Sequence, residues 1–231
     1  MTSFFEVHEK CIGKEKMHQL KKSRIAIVGL GGLGCSVAMG LTRLGIHNLV
    51  LADNDHIERS NVARQILFTK SHIGASKVQT TKDALLEIFD DLNITCIQDY
   101  ITTQNGINIL KSADIIVDCT DNYMARYAIS KTCESISKPM IFGGVQGFEG
   151  QVGVFNYKNS KPFHHIFPNI NSLLKVENCE ASGVLPFVVQ TIANYQVIEC
   201  YKIICNENNV LNNQLLCINT LSNKSRILKL E

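Results

Sequence analysis

The chemistry of this 231-residue chain begins at a glycine cluster, Gly29-Leu30-Gly31-Gly32-Leu33-Gly34, which joins the apolar run Arg24–Val28 to a segment of helical periodicity, Leu33–Leu44. In such a turn the missing side chains let backbone N–H groups and the positive end of a helix reach phosphate oxygens. Asp53 ends the next apolar run, 19 residues beyond Gly34, where a carboxylate accepts hydrogen bonds from a nucleotide ribose. The glycines alone fit a nicotinamide dinucleotide as well as ATP. A less common series lies beyond Asp53: Asp55, then Ser60-Asn61-Val62-Ala63-Arg64-Gln65, Lys77, Asp118-Cys119-Thr120-Asp121-Asn122 and Arg126. Hydride transfer has no use for cations beside a triphosphate, whereas cleavage between the α- and β-phosphates needs positive charge against the leaving pyrophosphate. Asp121, just past the fourth apolar run, stands where a carboxylate can hold Mg2+. The set points to ATP and Mg2+. Each residue also has a plainer reading: Arg64 in a loop ion pair, Lys77 on a solvated helix, Asp121 as the N-cap of a helix starting at Tyr123.

The elements that must position these residues are legible from periodicity. Arg24–Val28, Asn48–Ala52, Ile94–Gln98, Asp114–Asp118 and Pro139–Phe142 read as short buried strands, separated by helical segments at Leu33–Leu44, Gly74–Phe89, Asn105–Ser112 and Tyr123–Ser137. This alternation predicts an α/β fold, a doubly wound, mostly parallel, Rossmann-like sheet covered on both faces through right-handed crossovers. A helical lead-in, Glu9–Lys22, precedes it. After Gly143 the pattern changes: Gln151–Tyr157 alternates as an antiparallel strand, Lys158–Glu180 is irregular, Leu185–Cys205 is a helix, and two C-terminal strands lie near Leu215–Thr220 and Ser225–Leu230. One domain over 1–231 is expected, with an N-terminal helical arm (1–23), a parallel α/β core (24–142), and a crossover loop, long helix and antiparallel strands (143–231).

Composition narrows the function classes. With 23 Lys and Arg against 21 Asp and Glu the net charge is only +2, which argues against a dedicated nucleic-acid or membrane surface. Leu185–Cys205 is interrupted by Gln190, Asn194, Gln196, Glu199 and Lys202, so no apolar run approaches the roughly 18 residues of a membrane helix. Nine cysteines, odd in number and irregularly spaced, without a basic-then-apolar leader at Met1–Lys22, imply thiols in a reducing cytoplasm. There is no CxxC pair, hence no thiolate zinc site is expected. Cys35 and Cys119 read as packing residues.

Taken in order, Val28–Gly34, Asp53-Asn54-Asp55, Ser60–Gln65, Lys77, Asp118–Asn122, Gly150–Phe155 and Cys179–Leu185 resemble the ThiF/MoeB/HesA family, which shares its nucleotide-binding fold with ubiquitin-activating enzymes. The resemblance runs from about Ile12 to Ile204 and implies an adenylyltransferase. Such an enzyme uses MgATP to activate the C-terminal glycine of a small β-grasp sulfur-carrier protein ending in Gly-Gly, releases pyrophosphate, and works as a homodimer in thiamine or molybdopterin-type biosynthesis, the thiamine branch being slightly favoured. Carried over by position, it implies nucleotide contacts from Gly29, Gly31, Gly32, Gly34, Asp53, Asp55, Asn61, Arg64, Gln65, Lys77, Asp121 and Asn122, with Arg64, Lys77 and Asp121 catalytic. Asp121 would organise Mg2+, and Cys179 aligns with a cysteine that takes part in sulfur transfer in some members.

The chain departs from the family in two places. The arginine that the family's N-terminal arm sends to the partner subunit's ATP is replaced by Phe5, so either another cation such as Lys10 or Lys14 substitutes or nucleotide binding is weakened. Where a first cysteine pair is expected the chain reads Pro162-Phe163-His164-His165, and both histidines are expected to be loop residues without a metal. Alternatives to the family reaction are a non-catalytic nucleotide-binding relative, adenylation of a small molecule or RNA base, and, remotely, an NAD-dependent oxidoreductase.

Overall fold

Each of the first five apolar runs must bury both of its faces, which a strand achieves only inside a sheet covered by helices on either side. The protein, a computed structural model, does so for four of the five; the third, Asn93–Ile97, lies at the sheet edge and has no buried residue, contrary to the expected buried strand. Residues 4–168 and 183–230 are described. Helices α1 (Glu6–Ile12) and α2 (Lys14–Lys22) lead into β1 (Arg24–Val28), α3 (Gly32–Leu44) and β2 (Asn48–Ala52). Then come α4 (Lys77–Leu86), β3 (Asn93–Ile97), α5 (Gly106–Leu110), β4 (Ile115–Asp118), α6 (Tyr123–Ser135) and the hairpin β5 (Met140–Gln146) and β6 (Glu149–Phe155). The one-turn helix α7 (Phe163–Ile166), the long α8 (Pro186–Ile204), β7 (Gln214–Asn219) and β8 (Lys224–Lys229) complete the described chain. The strands form one sheet in the order β3-β2-β1-β4-β5-β6-β7-β8, parallel through β5 and antiparallel from β5 to β8. The expected mixed sheet with antiparallel C-terminal strands is therefore what the chain builds.

Strand alternation sends side chains to two cores. Ile25, Ile27, Leu49, Leu51, Ile115 and Val117 pack under α3, α4 and α8. Ala26, Val28, Val50, Ala52 and Ile116 face the other way, under α5, α6 and α7, where Ile129, Cys133 and Phe163 meet them. Helices α3 and α8 approach closely because Gly40 has no Cβ; one there would stand 2.9 Å from Val197 Cγ2. Among the described residues no helix is long and apolar enough to cross a membrane.

Several boundaries differ from the periodicity reading, and three of them have a clear physical cause. The lead-in is two helices broken at Gly13. Strand β5 continues through Gly143 and Gly144 to Gln146, because Gln196 of α8 packs where a Gly143 Cβ would be, donating from Nε2 to Asp118 O at 2.8 Å. Helix α4 starts at Lys77, not Gly74: residues 74–76 pair with His56 and Ile57 (Gly74 N to Ile57 O and Ile57 N to Ala75 O, both 2.8 Å), holding the chain extended until Ser76. That short pairing is what brings Lys77 beside Asp55.

Candidate functional site

In a parallel sheet, ligands bind beyond the carboxyl ends of the strands where the winding reverses. Here that point lies between β1 and β4, and a cavity of about 580 Å3 opens there. Gly29 leaves β1 at φ +86°, and a Cβ on it would stand 2.9 Å from Cys119 O, so only glycine lets the loop rest against the exit of β4. A Cβ on Gly31 would meet only Gln65 Nε2, at 3.9 Å; the space it would fill is the cavity itself. Gly32 also lines it. Gly34, expected among the phosphate contacts, does not: a Cβ there would lie 1.8 Å from Gly29 O, so its role is the close fit of α3 against its own loop.

The polar residues expected at the site converge on this cavity. Asp53, Asp55, Asn61, Arg64, Gln65, Lys77, Asp121 and Asn122 all line it. Asp53 accepts hydrogen bonds from Leu30 N and, at 2.8 Å, from Asp55 N, which locks its carboxylate between the first two strand exits. Burial raises its pKa above the ordinary carboxylate value, opposed by those two N–H groups and by Lys77. Lys77 is buried and donates from Nζ to Asp55 Oδ2 at 2.8 Å, not the solvated helix residue of the plainer reading. Asn61 spends its Oδ1 on Glu58 N (3.0 Å), closing a capping box on the 3-10 turn Arg59–Ala63. Arg64 reaches back to Ser60 O at 3.1 Å. Gln65 is 2% exposed, and among the described residues its Oε1 has no hydrogen-bond partner, although a buried amide oxygen ordinarily has one. The Gln65 atom nearest the open glycine cradle is the donor Nε2, which suits an anionic ligand there.

The N-cap of α6 is Asn122, whose Oδ1 accepts from Ala125 N at 2.9 Å, leaving Asp121 exposed on the cavity rim with its carboxylate outside the cap. Asn122→Ala is accordingly expected to cost about 1 kcal/mol in urea unfolding, and Asp121→Ala less than about 0.5 kcal/mol. Behind the rim stand Asp118 and Arg126, members of the same series to which the sequence alone gives no separate role. Asp118 is fully buried; its Oδ1 accepts from Thr120 N and Oγ1 at 3.0 and 2.6 Å, and its Oδ2 faces Arg126 Nε at 3.3 Å. Asp99, Tyr100 and Ile101 line the cavity from the exit of β3, a position that the carboxyl-edge rule alone would have flagged. Cys179 lies outside the described residues, as does most of the irregular Lys158–Glu180 stretch.

A family model described as "ThiF family" matches residues 7–231. The chain belongs to the ThiF family. It is 38% identical over 204 residues to "Adenylyltransferase and sulfurtransferase MOCS3" of Drosophila yakuba, an alignment covering 88% of this chain and 45% of the relative. It is 35% identical over 210 residues to "Probable molybdopterin-synthase adenylyltransferase" of Gracilaria tenuistipitata var. liui, covering 91% and 59%. This ThiF-family chain thus spans about half the length of the curated relatives it matches. Its fold is similar to that of E. coli MccB crystallised with ATP, with a TM-score of 0.84, 22% identity, and coverage of 99% of this chain and 72% of that one. PaaA is another structural neighbour, with a TM-score of 0.80, 21% identity, and coverage of 93% and 75%.

Two departures of this ThiF-family member gain a structural account. Phe5 is packed against Phe89 (ring centroids 5.2 Å apart), His47 and the Gly45 turn at the end of α3, so its place in the arm is apolar packing, while Lys10 pairs with Glu6 at 2.7 Å. His164 is not the loop histidine expected: it is 5% exposed, lies within α7, and its Nδ1 meets Ser130 Oγ at 2.8 Å. Cys35 and Cys119 are buried, as packing residues are; burial pushes the Cys35 thiol up to about 12 and Cys119 well above its ordinary value.

Proposed function

We propose that this chain is an ATP-dependent adenylyltransferase that activates the C-terminal glycine carboxylate of a small sulfur-carrier protein. The observation that carries the reading is the convergence of Arg64, Lys77 and Asp121 on the rim of one cavity whose floor is the glycine loop. The relatives' names support the reaction, and the Gracilaria name favours the molybdopterin branch over the thiamine branch. In this reading Gly29, Gly31 and Gly32 present backbone N–H groups to phosphates, and Asp53 takes the ribose. Lys77, Arg64, Asn61 Nδ2 and Gln65 would face the triphosphate, and Asp121 would hold Mg2+. Bound Mg2+ neutralises part of the polyphosphate charge.

The carrier carboxylate attacks the α-phosphorus in line, an acyl adenylate forms, and pyrophosphate departs toward the cations. A C-terminal carboxylate is already ionised near neutral pH, so no general base is required. The protein contributes position and positive charge. The chain works as one nucleotide-binding domain over 1–231, which the single continuous sheet of the described residues supports, and functions as a homodimer.

Pyrophosphate exchange into ATP tests the reading. Exchange should require Mg2+ and a β-grasp carrier ending in Gly-Gly, and a carrier lacking its last glycine should support none. ATP binding without exchange for any such carrier would instead favour a non-catalytic relative. NADH binding with no response to MgATP would favour an oxidoreductase.

A further inference from the structure

A second cluster of ligating side chains lies at the far end of α6 from the nucleotide cavity. Glu134 sits in the last turn of that helix, while His164 and His165 come from the one-turn helix α7 that packs beside it. Glu134 Oε2 is 3.4 Å from His164 Nε2, Glu134 Oε1 is 3.6 Å from His165 Nε2, and one ligand atom from each of the three residues falls within 4.8 Å of the others. We propose that Glu134, His164 and His165 form a binding site for a divalent transition metal of the zinc class, tying α7 to the C-terminal end of α6.

Three observations carry the assignment. The first is spacing: with bonds of about 2.0–2.1 Å, a tetrahedral ion holds its ligand atoms about 3.3 Å apart; the two imidazoles lie 3.4 and 3.6 Å from different oxygens of Glu134, and a single oxygen with both nitrogens stays within 4.8 Å, so a small side-chain adjustment closes the set. The second is an orphaned atom. His164 is only 5% exposed, and its Nε2, which has no well-formed hydrogen bond among the described residues, points at the Glu134 carboxylate 3.4 Å away and is shielded from solvent. Its other nitrogen faces Ser130 Oγ at 2.8 Å, an outer partner of the kind that orients a ligating imidazole; in the tautomer that donates from Nδ1 to this hydroxyl, the Nε2 lone pair is free for an ion.

The third is field. The end of a helix carries partial negative charge; α6 has no basic residue in its last turn and places a carboxylate there, which a nearby cation would offset. Lys131 Nζ approaches Glu134 Oε2 to 3.7 Å but is more than a third exposed on a flexible stem and can swing aside. His165 and Glu134 are also partly exposed, so water has access to complete the coordination. Sequence reasoning set the adjacent histidines aside for want of a nearby partner. Glu134 lies 30 residues upstream of His164 and is delivered by the fold.

The test uses the full chain, stripped with a chelator and titrated with Co2+ as a spectroscopic probe and with Zn2+ by competition. The nine cysteines are the obvious competitors, and the cobalt spectrum separates them. The expected result is one ion per chain with the visible bands of a nitrogen- and oxygen-ligated ion and no thiolate charge-transfer band. His165→Ala and Glu134→Gln, both at partly exposed positions the fold should tolerate, should each weaken binding at least tenfold. Zn2+ should raise the unfolding midpoint of the parent and not of the variants. Unchanged affinity in both variants, a thiolate charge-transfer band, or no stoichiometric binding would overturn the proposal, and none of these readouts depends on nucleotide chemistry.

Discussion

Lys77→Met is expected to lower carrier-dependent pyrophosphate exchange about 10²–10³-fold, the usual loss when one preorganised charge aimed at a transition state is removed. Methionine keeps most of the buried stem and deletes the ammonium, so the change isolates charge. Stability should move by no more than about 1 kcal/mol, because the ammonium's partner, Asp55, is half exposed and such pairs contribute little. The ammonium is held by the first turn of α4 and by the pairing of residues 74–76 with His56 and Ile57, so it is in place before any ligand arrives. The kinetic split identifies its role: a fall in kcat with little change in the KM for ATP marks charge stabilisation confined to the transition state, whereas a rise in KM alone marks ground-state binding. Full exchange by both Lys77→Met and Asp121→Ala would remove these residues from the reaction.

Much of this architecture was readable from the chain because local and global signals agree. Arg24–Val28 and Asn48–Ala52 are strands over the same residues that their apolar runs mark, since a strand buried on both faces is a nearly uninterrupted apolar run. The glycine loop, Asp53 and Asp121 were legible because strand exits are where such sheets bind ligands. The features that escaped were set by contacts distant in sequence. Gly143 of β5 reads as the end of a strand, yet its missing side chain lets Gln196, more than fifty residues later, lie across the sheet. Gly34 and Gly31 look alike in the motif, but one faces a carbonyl and the other the cavity. Asp121 and Asn122 are equally good helix caps by type, and only the backbone decides that Asn122 takes the role. His164 reads as a surface residue until Ser130 and Tyr127 are seen to cover it.

Arg126→Met should be the most destabilising single change at the cavity rim, costing about 3–5 kcal/mol at neutral pH, as is usual when one partner of a buried ion pair is removed. The Asp118 carboxylate is fully enclosed, and besides its two bonds from Thr120 its counter-charge is the Arg126 guanidinium. That guanidinium also donates to Thr120 O at 2.7 Å and Gly143 O at 3.3 Å and lies 4.7 Å over the Phe142 ring, bracing the exits of β4 and β5 against each other. Burial raises the Asp118 pKa above its ordinary value, and Arg126 pulls it back down. Between the unfolded and the raised folded pKa the native state binds more protons than the unfolded state, so the contribution of this group to stability falls as pH rises through that window. Removing Arg126 raises the folded value further and widens the window upward. The deficit of the variant relative to the parent should therefore grow with pH and shrink toward acid, where the isolated carboxylate can take up a proton. Urea unfolding of parent and variant across a pH series measures it. Adding Asp118→Asn to Arg126→Met removes the stranded charge and should recover part of the loss, most of it at the higher pH, with the coupling read from the double-mutant cycle. A deficit below about 1 kcal/mol, or one that does not change with pH, would mean that Arg126 acts through its carbonyl contacts and ring packing alone, and that the carboxylate finds its compensation elsewhere.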